Sequence, residues 1–163
     1  SAERGTVVDR GTLLGAAYVH DLGALGSYRD PGVDHAVRSV ALLDTVLPAD
    51  FPVASRSLLE AIILGHPYQW MPHGPEEVLV LHDADVLDFM GTIGIERLLA
   101  VAGIESWWIP DATGALTQIE RFAQQLPGAL VTREAQRIGE LRQAEMLSFL
   151  GQLREETEGL GLL

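Results

Sequence analysis

The chain of 163 residues is 47% hydrophobic and 21% charged, and its 23 acidic against 11 basic residues, all of them arginine, give a formal net charge of −12. That balance repels phosphate backbones and anionic headgroups, so no nucleic acid and no membrane surface is expected as a partner, and the absence of cysteine excludes disulfides, thiolate ligands and a cysteine nucleophile. No apolar run approaches the length of a membrane span and no signal-peptide pattern is visible, so a cytoplasmic location is the expectation.

Apolar residues recur at helical spacing nearly throughout, and no segment alternates with period two for long, which predicts an all-α, multi-helix bundle. A first helix is predicted from Asp9, as N-cap, to Gly23, as the residue after its C-terminus. A loop rich in Gly, Ser, Asp and Pro follows from Gly26 to Gly32. A second helix carries Val33, Val37, Val40, Ala41 and Leu47 until Pro48 stops it, and a third runs from Pro52 to Gly65 with Leu58, Leu59, Ile62 and Ile63. The segment from His66 to Pro75 holds too much proline for a helix and reads as an ordered loop. Pro75, Glu76 and Glu77 make a good helix start, because proline suits the first position and carboxylates suit the positive end of the dipole; that fourth helix reaches Met90. A fifth spans Thr92 to Ala102, a sixth Ala112 to Gln125 and a long seventh Thr132 to Glu158, with Ile138, Leu141, Phe149 and Leu153 on one stripe.

The adjacent pair His20-Asp21 closes an otherwise apolar helix. An imidazole and an ionised carboxylate are costly in apolar surroundings without partners, and a divalent metal is such a partner. His35, His66 and Asp85 also stand at helix ends or within apolar segments. The five residues fall on four successive elements, and helices packed around a common centre can project such ligands inward. A donor set of nitrogen and oxygen suits Mn, Fe, Zn, Ni or Mg. The same residues also have plainer readings. His20 and Asp21 can cap a helix, His35 can be a solvated residue near a helix start, and His66 a loop histidine stacked on Tyr68. Burial does not separate Asp83 from Asp85, because their helix is apolar nearly all round. His73 and His82 read as ordinary polar residues, and Trp70, Trp107 and Trp108 as packing residues, with Tyr68 and Trp70 placed to shape a pocket mouth beside His66.

In this order the residues resemble the HD-domain metal-dependent phosphohydrolases. The pair lies in Ala17-Tyr18-Val19-His20-Asp21-Leu22-Gly23, and the last carboxylate in His82-Asp83-Ala84-Asp85-Val86-Leu87-Asp88, running on into the next helix. His35 and His66 match the two intermediate histidines of many members. The resemblance implies one HD-type domain over residues 1–163, with its motif core at about 12–104 and a helical extension at 112–158. It implies hydrolysis of a phosphoester of a small nucleotide or other phosphorylated metabolite at a pair of divalent ions. His20, Asp21 and Asp85 would serve one ion and His35 and His66 the other, with Asp21 bridging; the resemblance also selects Asp85 over Asp83. A diiron oxygenase and a non-catalytic ligand-binding domain are the alternatives that the same fold implies.

Two departures stand out. Members carry a further histidine on a helix before the pair, and residues 1–19 contain none. Because the chain starts at Ser1, the native protein is expected to carry an upstream segment that supplies it. Many members also have a lysine after the glycine of the pair segment, where Ala24 stands here. A phosphate-contacting cation must then be arginine or the metals, and Arg38, one helical turn after His35, is the first choice as a catalytic partner of Asp21. Arg29 is the second.

Overall fold

Short polar side chains start the helices much where the sequence places them. The structure, a computed structural model, describes residues 8–104 and 108–157, and among these residues it is all-α with no strand. Asp9 opens α1 (Arg10–Val19) by accepting the Thr12 N–H at 3.1 Å and the Thr12 hydroxyl at 2.8 Å. Asp34 opens α2 (His35–Ala41) by accepting the N–H groups of Ala36 and Val37. A short α3 (Leu43–Val46) follows, then α4 (Val53–Gly65) and α5 (Glu76–Asp88). α6 (Gly91–Val101) leads to α7 (Ala112–Gln125), capped by Asp111, and to α8 (Arg133–Glu156), capped by Thr132. Each side-chain cap satisfies donors that the first turn of a helix leaves without partners.

Three expectations need correction. The first helix ends at Val19, not near Gly23: the His20 N–H closes the last helical bond on the Ala16 carbonyl, and Leu22–Ala24 turn into a 3-10 conformation. The second helix starts at His35, which leaves Val33 outside it, and is broken in two, because the Leu42 N–H is shared between the carbonyls of Arg38 and Ser39 and the chain restarts at Leu43. On α8 the buried residues are Ala135, Gly139, Met146 and Leu150, whereas Leu141 is 60% exposed. Glu158 and Trp107 lie outside the described residues.

The chain divides inside α5, between His82 and Asp83, into two compact units, and the expected motif core of residues 12–104 runs across that division. In the first unit Ala16, Ala36, Leu43, Leu59, Ile62, Ile63, Val78 and Leu81 form a continuous buried core, with Leu13, Val19, Val40 and Phe51 packed against it. Full burial of each large aliphatic side chain contributes about 1.5–3 kcal/mol. The buried Glu77 accepts the Asp9 N–H at 2.7 Å and so pins the start of α1 to α5.

The second unit buries Val86, Met90, Leu98, Ile109, Ile119, Phe122, Met146 and Leu150. Phe89 packs edge-on against Phe122 and Trp108, with the Arg97 guanidinium 4.6 Å from its ring centre. Both oxygens of the buried Asp83 accept backbone N–H groups, from Val131 at 2.8 Å and Thr132 at 2.9 Å, at the start of α8. No described helix is long and apolar enough to cross a membrane.

Candidate metal centre

Helix ends deliver the first unit's polar cluster. His20 is the C-cap of α1, Asp21 follows it, His66 is the C-cap of α4, and His35 is the first residue of α2. Ligand atoms of His20, Asp21 and His66 all lie within 4.8 Å of one another. The Asp21 carboxylate has the His20 Nε2 at 3.4 Å on one oxygen, and the Nε2 atoms of His35 and His66 at 3.6 Å on the other. The His66 ring stands edge-on to both other imidazoles, with ring centres 4.7 Å and 5.1 Å apart.

The second nitrogen of each ring fixes what the first can do. His20 Nδ1 donates to the Ala17 carbonyl at 2.9 Å, and His66 Nδ1 donates to the Ile63 carbonyl at 2.6 Å. With its proton on Nδ1, a neutral imidazole presents the Nε2 lone pair, and backbone carbonyls commonly orient metal-binding histidines in this way. Both lone pairs face Asp21. His35 Nε2 lies 3.1 Å from His66 Nε2, a contact in which only one of the two nitrogens can carry a proton. Burial by itself would push the Asp21 carboxyl pKa up. When Nε2 of His20 and His66 is protonated as well, hydrogen bonds from those nitrogens and the positive charge the rings then carry outweigh it and hold the group well below the ordinary carboxylate range. Two imidazole lone pairs and an ionised carboxylate are a donor set suited to a divalent first-row ion.

Access and support are unequal around the cluster. His66 is 1% exposed and Asp21 44%, so the ring is anchored in the core while the carboxylate meets solvent. Ser39, fully buried one turn after His35, donates its hydroxyl to the His20 carbonyl at 2.6 Å and accepts the Gly23 N–H at 2.8 Å. One oxygen thus grips the backbone on both sides of Asp21. Gly23 lets α2 come this close: a Cβ there would lie 2.4 Å from the His35 carbonyl oxygen and 2.6 Å from the Arg38 Cβ. The Arg38 Nε donates to the Tyr28 carbonyl at 3.0 Å, which ties the side chain to the loop after the pair.

The structure therefore brings His20, Asp21, His35 and His66 together. Asp85 lies half-buried on α5 beyond the division and belongs to the other unit. Of the two carboxylates in that segment, Asp83 is the one committed to the start of α8. Trp108 packs on Phe89, as a packing residue should, whereas Trp70 is 53% exposed on the loop after His66. His73 is exposed, in keeping with an ordinary polar residue, but His82 is fully buried. The supporting contacts of Gly23 and Ser39, and the burial of His82, are ones that sequence reasoning missed. A cavity of about 460 Å³ opens elsewhere in this unit, between Thr12 and Val19 of α1 and Phe51 and Leu59, and none of the four clustered residues lines it.

No protein-family model matches the chain, and no curated protein matches it. Solved structures do resemble it. YpgQ of Bacillus subtilis, solved in complex with ADP, is 20% identical, with 93% of this chain and 90% of that one covered at a TM-score of 0.55. A structural-genomics target from Lactobacillus plantarum is also 20% identical, with 96% and 90% covered at a TM-score of 0.57. At that identity the likeness is one of fold.

Proposed function

We propose that this chain is an HD-type metal-dependent phosphohydrolase that cleaves a phosphoester of a small nucleotide or another small phosphorylated metabolite. The observation that carries this reading is the convergence of the His20 and His66 Nε2 atoms on one ionised carboxylate, with each ring's other nitrogen held by a backbone carbonyl. The fold likeness to YpgQ, a protein solved with a bound nucleotide, supports a small phosphorylated ligand.

His20, Asp21 and His66 would hold a divalent ion, and His35, 3.1 Å from His66, would hold a second or complete the first. When bound, such an ion supplies Lewis acidity toward a phosphoryl oxygen and toward water. The rest of the chemistry falls to the chain. Asp21 stays ionised and half-exposed, so it meets the substrate's side of the cluster as an acceptor that can orient a water. The carbonyls of Ala17 and Ile63 keep the two rings from rotating, so the donor set is organised before any ligand arrives. Arg38 uses Nε on the Tyr28 carbonyl, and its remaining N–H groups suit a phosphate. A surface of net charge −12 works against long polyanions, which favours a small substrate.

The test is a screen of nucleoside phosphates and sugar phosphates for release of phosphate or pyrophosphate, with Mn2+, Zn2+, Ni2+, Mg2+ or Fe2+ added, using the wild type and Asp21→Ala. Metal-dependent turnover that Asp21→Ala abolishes is expected. A folded Asp21→Ala protein that keeps full metal content and turnover would overturn the assignment.

A further inference from the structure

The imidazole of His82 has no part in the chemistry above, yet it is fully buried on α5 and its Nδ1 donates to the His66 backbone carbonyl at 3.0 Å. That carbonyl stands at the C-terminal end of α4, where the last turn leaves acceptors without partners farther along the helix. A single buried donor therefore satisfies the main chain of the most deeply buried residue in the cluster. The His66 ring is fixed separately, through Nδ1, on the Ile63 carbonyl. The two bonds act on different parts of the residue. The bond to Ile63 sets the rotation and tautomer of the ring; the bond from His82 sets where the backbone carrying that ring stands against α5. With His66 Nε2 only 3.6 Å from Asp21 and 3.1 Å from His35, a small shift of that backbone would spoil the donor geometry.

We propose that His82 is a positioning residue of the metal centre, holding His66 in register with Asp21 through the His66 carbonyl. This rests on the metal reading of the cluster. If His82 were only a helix cap, its loss would lower stability and leave metal affinity unchanged.

The experiment is a Mn2+ titration of the whole chain, read from the paramagnetic resonance signal of the free ion, with thermal unfolding of the metal-free protein alongside. The proteins are the wild type, Asp21→Ala, His82→Leu, His82→Asn and His82→Gln. His82→Leu is expected to weaken Mn2+ binding about 10–100-fold, the scale on which partners of metal ligands act. His82→Asn should bind within a few-fold of wild type, because its amide nitrogen occupies the place of Nδ1. The longer His82→Gln side chain places its nitrogen where Nε2 stood and should behave like leucine. Wild type that binds no Mn2+, or Asp21→Ala that binds as wild type does, would sink the metal reading and the inference with it. If those two proteins behave as expected but His82→Leu binds normally, the positioning role is wrong and the metal reading stands. Should His82→Leu not fold, normal binding by His82→Gln would equally overturn the positioning role.

Discussion

Ser39→Ala removes one oxygen from a fully buried position and leaves two backbone groups without their partner, the Gly23 N–H and the His20 carbonyl. A buried donor left unsatisfied costs about 1–3 kcal/mol. The carbonyl keeps a second lone pair and its loss is smaller, about 1 kcal/mol. The substitution adds no atoms, so no clash offsets or inflates the sum, and a loss of about 2–4 kcal/mol is expected. In urea, with a slope of about 2 kcal/mol per molar, that moves the midpoint by about 1–2 M. Ser57→Ala, on the exposed side of α4, is the control and should stay within about 0.5 kcal/mol. Because the same hydroxyl holds the backbone on both sides of Asp21, Mn2+ affinity should fall together with stability. A Ser39→Ala protein as stable as the Ser57→Ala control would show that water replaces the hydroxyl and that this clamp does not hold the pair.

Asp21→Asn tests the electrostatics of the cluster in metal-free protein. The folded carboxyl titrates below its unfolded value of about 3.9, so its contribution is present above that pH and is lost as the pH falls. The stability gap between wild type and Asp21→Asn, measured by urea unfolding in chelator, should be widest between about pH 5 and 7 and should close in acid; a gap that does not change with pH would contradict the cause assigned. Gly91→Ala tests a backbone demand in the second unit, where Gly91 has φ +69° and a Cβ would lie 2.7 Å from Glu145 Oε2 and 2.9 Å from Arg142 Cγ. Left-handed backbone costs about 1–2 kcal/mol, and forcing the two side chains aside adds about 1–3 kcal/mol; unchanged urea unfolding would refute this.

What could be read from the residues follows the range of the forces involved. Asp9 acts within three residues of itself, so the start of α1 is visible in sequence, and proline in the 66–75 loop acts on its own backbone; the apolar pattern, by contrast, draws Val33 into a helix that Asp34 opens only at His35. The clustered His20, Asp21, His35 and His66 are also visible, because imidazole and carboxylate types in apolar segments need partners wherever they fold. Ser39 and His82 are not visible in this way. Each works by a bond to a backbone carbonyl 19 or 16 residues away, and any buried serine or histidine looks the same in sequence until those carbonyls are in place.

The errors in element boundaries have the same origin. Gly23 reads as a helix terminator from its own conformational freedom, but its task is to accept the close approach of α2, and its N–H is claimed by Ser39. Leu141 shares an apolar stripe with Ile138 and Leu153 only if nothing else decides which side of α8 faces inward. Leu130 and Met90 approach α8 at Gly139, and this turns Met146 and Leu150 into the core and leaves Leu141 outside. The missing side chain at Gly23 and the small side of α8 at Gly139 are therefore one kind of feature: open space where another element must pass. Such an absence leaves no local signature of its purpose. It is also why the site's geometry depends as much on Gly23 and Ser39 as on the histidines they hold in place.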